Sequence, residues 1–212
     1  MPKLDSLGKG MGRLQVLLAV LALALIPHAW ADNADIVVAA QSQVGVTTHY
    51  DGSYRALSYP GGDVPASTGV CTDVVVRALR KARSQDLQKL VHEDLKGNWD
   101  AYPHPARWRL KKPDPNIDHR RVPNLMTYFA RQGYGRTPGR DAAAYLPGDI
   151  VAWDLGRGLL HIGVISDLRT AAGTPLVVHN IGAGAREEDI LFRYTVIGHY
   201  RLPAPILTPS NR

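Results

Sequence analysis

An α+β fold, with helices in the first half and an antiparallel sheet in the second, is predicted by three observations. Apolar residues recur at helical spacing in three segments before residue 97 and again over 122–132. After residue 147 the pattern changes to short apolar runs bounded by glycine, proline and aspartate. No helical period separates those runs, so the strands are expected to follow one another directly and to pair antiparallel in one domain.

The chain opens with Lys3, Lys9 and Arg13. An apolar run follows from Leu14 to Ile26, interrupted only by Gln15, then Pro27 and Ala29-Trp30-Ala31 before Asp32. Basic, apolar and small-x-small regions in that order read as a secretory signal peptide over residues 1–31. The run falls short of the roughly 20 apolar residues that span a bilayer, and no cysteine lies near the cleavage position to carry a lipid. Residues 32–202 are expected to form one soluble, monomeric domain and 203–212 a flexible tail. The protein is expected to reach the periplasm, with no stable membrane insertion after cleavage.

Within the domain, Asp35 to Val44 has apolar residues at 36, 37, 40 and 44, with Asp32 or Asn33 as helix cap. Residues 47–69 hold Tyr50-Asp51-Gly52, Tyr59-Pro60-Gly61-Gly62-Asp63 and Pro65, and read as loop. Val70 to Arg83 places Val70, Val74, Ala78 and Leu79 on one helical face, and Asp86 to Lys96 does the same with Leu87, Leu90, Val91 and Leu95. Residues 97–120, dense in proline, aromatics and charge, read as irregular. Val122 to Gln132 is a short helix with Gly133 as its C-cap. Pro147-Gly148-Asp149 is a turn, and strands follow at Ile150–Trp153, His161–Ile165, Leu176–His179 and Tyr194–Arg201.

The full chain carries 25 Lys+Arg against 19 Asp+Glu, and removing the signal lowers the net charge from +6 to +4. That modest excess suits an anionic partner such as a carboxylate-rich wall polymer or a membrane surface. A nucleic-acid partner is not expected in an exported chain without a basic stripe interleaved with aromatics.

Cys71 is the only cysteine, in a chain that reads as exported. A lone thiol in an oxidising compartment points to an intermolecular bridge or to a reactive group. Thr68-Gly69-Val70-Cys71-Thr72-Asp73 reads as a loop turning into a helix, with sulfur at the second or third helical position if Thr68 or Gly69 is the cap. There the helix dipole and unpaired N–H groups favour the thiolate and offer donors to an oxyanion. The alternative is a small buried apolar residue.

Two histidines lie at strand positions: His161 after the turn Gly156-Arg157-Gly158, and His179 at the end of the next strand. A hairpin symmetric about residue 170 makes them face each other, with Gly163 facing Val177. One is then a base and the other its orienter. Asn180 points to the other face and becomes the third residue only after a one-residue slip. A zinc pair is the competing reading of two histidines, but no HExxH occurs and no metal is expected. His119, Arg120 and Arg121 form a polar cluster suited to a substrate carboxylate, or a solvated loop. His49, His104 and His199 carry no local argument, and Gly182-Ala183-Gly184 reads as a turn.

Several motifs in order resemble the domain of unknown function 1287, a YijF-like family of exported bacterial proteins. They are Tyr59-Pro-Gly-Gly-Asp63, Gly69-Val-Cys-Thr-Asp73, Asp86 to Asp94, Ile117 to Val122, Pro147-Gly-Asp-Ile-Val151, His161-Ile-Gly163, His179-Asn-Ile-Gly182 and Gly198-His-Tyr-Arg201. More widely, a cysteine at a helix start, then Gly-Asp-Ile-Val, then His-Ile-Gly-Val-Ile, is similar to the NlpC/p60-type cell-wall peptidases of papain-like fold. Their Asp-Cys-Ser-Gly is replaced here by Val70-Cys71-Thr72-Asp73. That resemblance implies Cys71 as nucleophile, His161 as base and His179 as third polar residue. It also implies a tyrosine near the sulfur, for which Tyr59 is favoured over Tyr50 and Tyr54.

The resulting expectation is a cysteine hydrolase that cleaves amide bonds in peptidoglycan stem peptides without a cofactor. Tyr59, Asp73, His119, Arg120 and Arg121 are its candidate substrate contacts. The alternatives are a non-catalytic wall-binding module, an envelope regulatory protein with a buried Cys71, and a thiol acyltransferase.

Overall fold

The computed structural model describes residues 33–204 apart from Leu110, so the signal-peptide segment and most of the C-terminal tail lie outside the described residues. Among the described residues there are four α-helices: α1 (Ala34–Gln41), α2 (Cys71–Arg83), α3 (Leu87–Gly97) and α4 (Val122–Arg131). A two-stranded parallel ladder pairs β1 (His49–Tyr50) with β2 (Thr68–Gly69). The main sheet contains β3 (Gly135–Arg136), β4 (Ile150–Asp154), β5 (Leu160–Arg169), β6 (Pro175–His179), β7 (Arg186–Glu188) and β8 (Thr195–Tyr200). It runs in the order β3-β8-β4-β5-β6-β7, and every pair is antiparallel. The expected α+β plan is the observed one.

Each helix forms where its apolar stripe has something to cover. Val74, Val75, Ala78 and Leu79 of α2 pack with Ile36 and Ala40 of α1 and with Leu125 and Phe129 of α4. All rest on Ile150, Ala152, Ile162, Val164 and Val178 of the sheet. The alternate residues Val151, Trp153, Ile165 and Val177 face the other way, into a second core with Tyr145, Ile190 and Leu191. Coverage on both faces is why Ile150-Val151-Ala152-Trp153 is an unbroken apolar run rather than an alternating one. Side-chain alternation along the strands assigns each residue to one core.

α1 is shorter than its apolar spacing implies. Asn33 precedes it without making a side-chain cap. Its amide instead donates to the Leu202 carbonyl at 3.3 Å and accepts from Arg83 Nη2 at 2.7 Å, tying the chain end to α2. Asp149, fully buried after the Gly148 turn, accepts from His199 Nε2, Arg201 Nε and Arg201 Nη2, each at 2.7 Å. Burial opposes its ionisation, but the Arg201 and His199 hydrogen bonds outweigh that, so its carboxyl sits below the ordinary value.

Where the expected β5–β6 hairpin is symmetric about residue 170, the observed one pairs Val164 with Val178 and Ile165 with Val177, two residues out of that register. The cause is the turn from Thr170 to Thr174 and an irregularity between Ile165 and Arg169. A shift of two keeps every side chain on its expected face. Gly163 is required by the crossing. A Cβ there would meet Val177 Cγ1 at 2.8 Å, the Val178 carbonyl oxygen at 2.9 Å and His179 Cβ at 3.1 Å. Gly163→Ala is expected to cost about 1–3 kcal/mol, as overpacking of a filled site does, read as a lowered midpoint in urea unfolding.

Candidate functional site

Cys71 is the first residue of α2, one or two positions earlier than expected, because Val70 rather than Gly69 or Thr68 occupies the cap position. Asp73 Oδ2 accepts the Val70 N–H at 2.7 Å and holds that turn. The β1–β2 ladder and two bonds to the Gly69 carbonyl, from Asp51 N at 3.1 Å and Asn180 Nδ2 at 3.0 Å, fix the chain before the sulfur. The thiol lies against the peptide joining His161 to Ile162. Burial pushes it up to about 12, while the N–H groups of Ile162, Thr72 and Cys71 itself pull it down and the Asp73 charge raises it. The resting sulfur is a neutral thiol inside a set of backbone donors.

His161 Nε2 and His179 Nδ1 are 3.0 Å apart, and His179 Nε2 lies 3.1 Å from Glu188 Oε2. The proton positions follow from Glu188. An ionised carboxylate only accepts, so His179 Nε2 carries a proton and its Nδ1 is a lone pair. His161 Nε2 then carries the proton between the rings, and His161 Nδ1, the ring nitrogen nearer the main chain, is left as the basic site. The rings meet nearly edge to face, at 87°, and His161 stacks on Trp153, its partner across β4. Burial first, and then His179, lowers His161 to about 3. Burial also lowers His179, against the opposing pull of Glu188. His161 and His179 are thus brought together as expected, but on the face of the sheet that carries Trp153 and Val177. Cys71 packs with Ile162, Val164 and Val178 on the opposite face, so the expected contact between base and thiol is not made. Among the described residues no hydrogen bond joins His161 to the sulfur, which touches the strand at the next residue.

Cys71 also lines a cavity of about 250 Å³ with Tyr50, Trp108, Arg120, Arg121 and Leu160. Tyr50 is therefore the tyrosine at this site, raised to about 12 by burial and by the adjacent Cys71 and Asp73. Tyr59, favoured from sequence, is elsewhere: its hydroxyl is 3.5 Å from Glu93 and its ring is edge-on to His92. Arg120 lines the cavity, but its guanidinium is fully engaged, with Nε and Nη2 each 3.0 Å from Asp73 and further bonds to the Ser53 and Asp51 carbonyls. Arg120 and Asp73 are a structural pair, not substrate contacts. His119 is buried away from the cavity lining, and burial lowers it to about 4. Arg121 alone of the cluster keeps its expected character. It lies 4.5 Å over the Trp108 ring, and its buried Nη1 has no hydrogen-bond partner. Asn180 serves the Gly69 carbonyl rather than either histidine.

A family model described as "Domain of unknown function (DUF1287)" matches residues 37–202, nearly the whole of the described chain. The chain belongs to the DUF1287 family. It is 56% identical over 169 residues to "Uncharacterized protein YijF" of Escherichia coli (strain K12), covering 80% of this chain and 81% of that protein.

In this DUF1287 chain, Glu188 and Trp108 are site residues that sequence reasoning passed over. Glu188 belongs to an acidic triplet, Glu187-Glu188-Asp189, with no distinguishing local pattern. Its signal is parity: once Arg186–Glu188 is a strand paired to β6, Glu188 shares the face of Val177 and His179. Glu187 takes the other face, where it bonds Gln41 and Ser166. Trp108 sits in a short 3-10 turn inside the segment read as irregular.

The Asp73–Arg120 pair holds the DUF1287 cavity wall, the α2 cap and the 51–53 loop together. Asp73→Ala leaves a buried guanidinium without its counter-ion and is expected to cost about 3–5 kcal/mol. Guanidinium chloride unfolding reads this directly, and a loss under 1 kcal/mol would show that Arg120 finds water or another acceptor.

Proposed function

We propose that this chain is an exported cysteine hydrolase of papain-like, NlpC-type architecture that cleaves amide bonds in peptidoglycan stem peptides in the periplasm. One observation carries the reading. The only thiol of the chain sits at the start of a helix among backbone donors, against the peptide of the residue that ends the Glu188–His179–His161 relay. Cys71 Sγ attacks the amide carbonyl. In the reactive form the first residues of β5 turn so that the His161 ring leaves Trp153 and reaches the Cys71 face, where its Nδ1 takes the thiol proton and returns it to the leaving amine. Water then attacks the thioester, again through His161, and frees the acid. The N–H of Cys71 and that of a neighbour receive the developing oxyanion. His179 and Glu188 orient the base and stabilise its charged form. Arg121, over Trp108, receives a substrate carboxylate.

The buried thiol, at about 12, and the buried base, at about 3, exclude a resting thiolate–imidazolium pair. In this reading proton transfer waits on that rearrangement of the β5 start, because Sγ and the His161 ring rest on opposite faces of the sheet. The same burial, together with the His161 ring lying on the sheet face away from Cys71, favours a second reading, a non-catalytic wall-binding module on this fold. Digestion of purified sacculi by the chain and by its Cys71→Ala form separates the two, with released fragments read by mass spectrometry. Thiol-dependent fragments support hydrolysis and identify the bond cut. Co-sedimentation with sacculi and no fragments supports the binding module.

A further inference from the structure

The β4–β5 hairpin has two sides. Gly158 and Leu160 line the Cys71 cavity. On the other side Asp154, Leu155 and Gly156 line a cavity of about 600 Å³, closed by Arg140, Phe192, Arg193 and Tyr194. The hairpin between them is tightly made, with the Leu155 N–H donating to the Leu159 carbonyl at 2.9 Å and that of Leu159 to the Gly156 carbonyl at 3.1 Å. The pairing of Asp154 with Thr195 brings the β8 end against it.

This second cavity is built from aromatic rings and cations. The Arg140 guanidinium lies 5.7 Å from the Phe192 ring centre and that of Arg193 lies 5.8 Å from Tyr194. Among the described residues neither arginine is in an ion pair. The one acid of the lining, Asp154, turns Oδ1 to the Gly156 N–H at 2.7 Å and secures the turn. Two guanidiniums against one carboxylate, itself turned into the hairpin, leave this concave surface net cationic and favour an anion. Their planar forks match carboxylates, and the rings under them limit their rotation.

We infer that the Arg140–Arg193 cavity is a second subsite, which binds a carboxylate-bearing stretch of the polymer whose amide is presented to Cys71 across the β4–β5 hairpin. The inference rests on the hydrolase reading for its account of what the ligand continues into, but not for the anion site itself. The polymer class it selects is one with carboxylates on more than one unit, since Arg121 takes one on the near side of the hairpin and Arg140 with Arg193 takes another beyond it.

The test uses labelled oligoglutamate and oligoglutamine of equal length, with binding read by fluorescence anisotropy in the Cys71→Ala chain. Oligoglutamate is expected to bind at least about tenfold more tightly, and Arg140→Gln with Arg193→Gln to remove most of that preference. The unfolding midpoint should be unchanged, because both side chains are exposed. Arg121→Gln reports the share of binding contributed by the Cys71 cavity. Equal binding of the two peptides, or oligoglutamate binding unaltered by the double substitution, overturns the proposal. If sacculi are not cleaved but the arginine-dependent preference persists, the hydrolase reading falls and the anion site stands. If sacculi are cleaved and the preference is absent, the reverse holds.

Discussion

Cys71→Ala is expected to lower stem-peptide hydrolysis by about 10⁴–10⁶-fold, and His161→Ala by nearly as much. The double variant should be no worse than either alone, because a nucleophile and its base act as one unit and each is idle without the other. Separate contributions would add their losses, and that outcome would show that His161 does not serve Cys71. Both single variants are expected to keep the fold. Cys71 loses one buried atom at the helix start, where the Asp73–Val70 N–H bond is untouched. His161→Ala removes a ring from between Trp153 and His179 and leaves a cavity on the second core, so its unfolding midpoint must be measured beside its rate. Glu188→Gln gives the finer reading. An amide can donate to His179 Nε2 as well as accept, so the second tautomer becomes available and the basic site is no longer held at His161 Nδ1. The rate falls less than with His161→Ala, and the substitution leaves KM unmoved, since Glu188 is absent from the Cys71 cavity lining.

The pairing of His161 with His179 was legible because β-strands alternate with a period of two. The actual register differs by two residues, which moves the histidines from directly opposite to diagonal yet keeps them on one face. A slip of one would have replaced His179 with Asn180, which now bonds the Gly69 carbonyl on the Cys71 side of the sheet. Helices α2, α3 and α4 were equally legible, because each turns one apolar stripe to the core, α2 and α4 onto the sheet and α3 onto α2 and α4, and one polar face to water. The β1–β2 ladder was not. It is two residues on each side, and what holds it is distant: Arg77 Nη1 on Thr47, Asp51 N on the Gly69 carbonyl and Asn180 on the same carbonyl. Tyr50 reaches Cys71 only through that ladder, so nothing local separates it from Tyr54 or Tyr59. β7 depends on the 180–185 loop, which the Ala185 N–H anchors to the Thr47 carbonyl at 2.7 Å. Arg120 and Arg121 show how little residue type decides. The chemistry is the same and the positions adjacent, but one points at Asp73 inside the protein and the other lies over Trp108 at the cavity.

Acid is expected to unfold this protein in two separable stages, and the first belongs to its histidines. His161 and His119 are lowered from the ordinary value of 6.5 to about 3 and about 4, both chiefly by burial, and His179 is lowered for the same reason. A group held below its unfolded value contributes stability that is complete above pH 6.5 and is lost as the pH falls toward the folded value. In that window the unfolded chain takes up protons that the folded chain refuses. Each such histidine costs up to about 1.4 kcal/mol per pH unit, so His161 and His119 together remove up to about 3 kcal/mol for each unit between 6.5 and 4. The carboxylates that are lowered, Asp149, Asp94 and Asp51, start from 3.8 and add their losses only below that. At the alkaline end Cys71 acts in the opposite sense. Raised from 9.0 to about 12, it contributes stability that is present below pH 9 and lost above it. Urea midpoints taken from pH 7 down to pH 4 should therefore fall steeply, with an uptake of at least one proton on unfolding. In His119→Leu the uptake should drop by one, whatever the substitution does to the absolute midpoint. That change in slope is a readout that lost packing cannot imitate. A midpoint independent of pH above 4 would mean that these rings are charged or hydrated in the folded chain. The neutral His161 on which the general-base mechanism depends would fall with it.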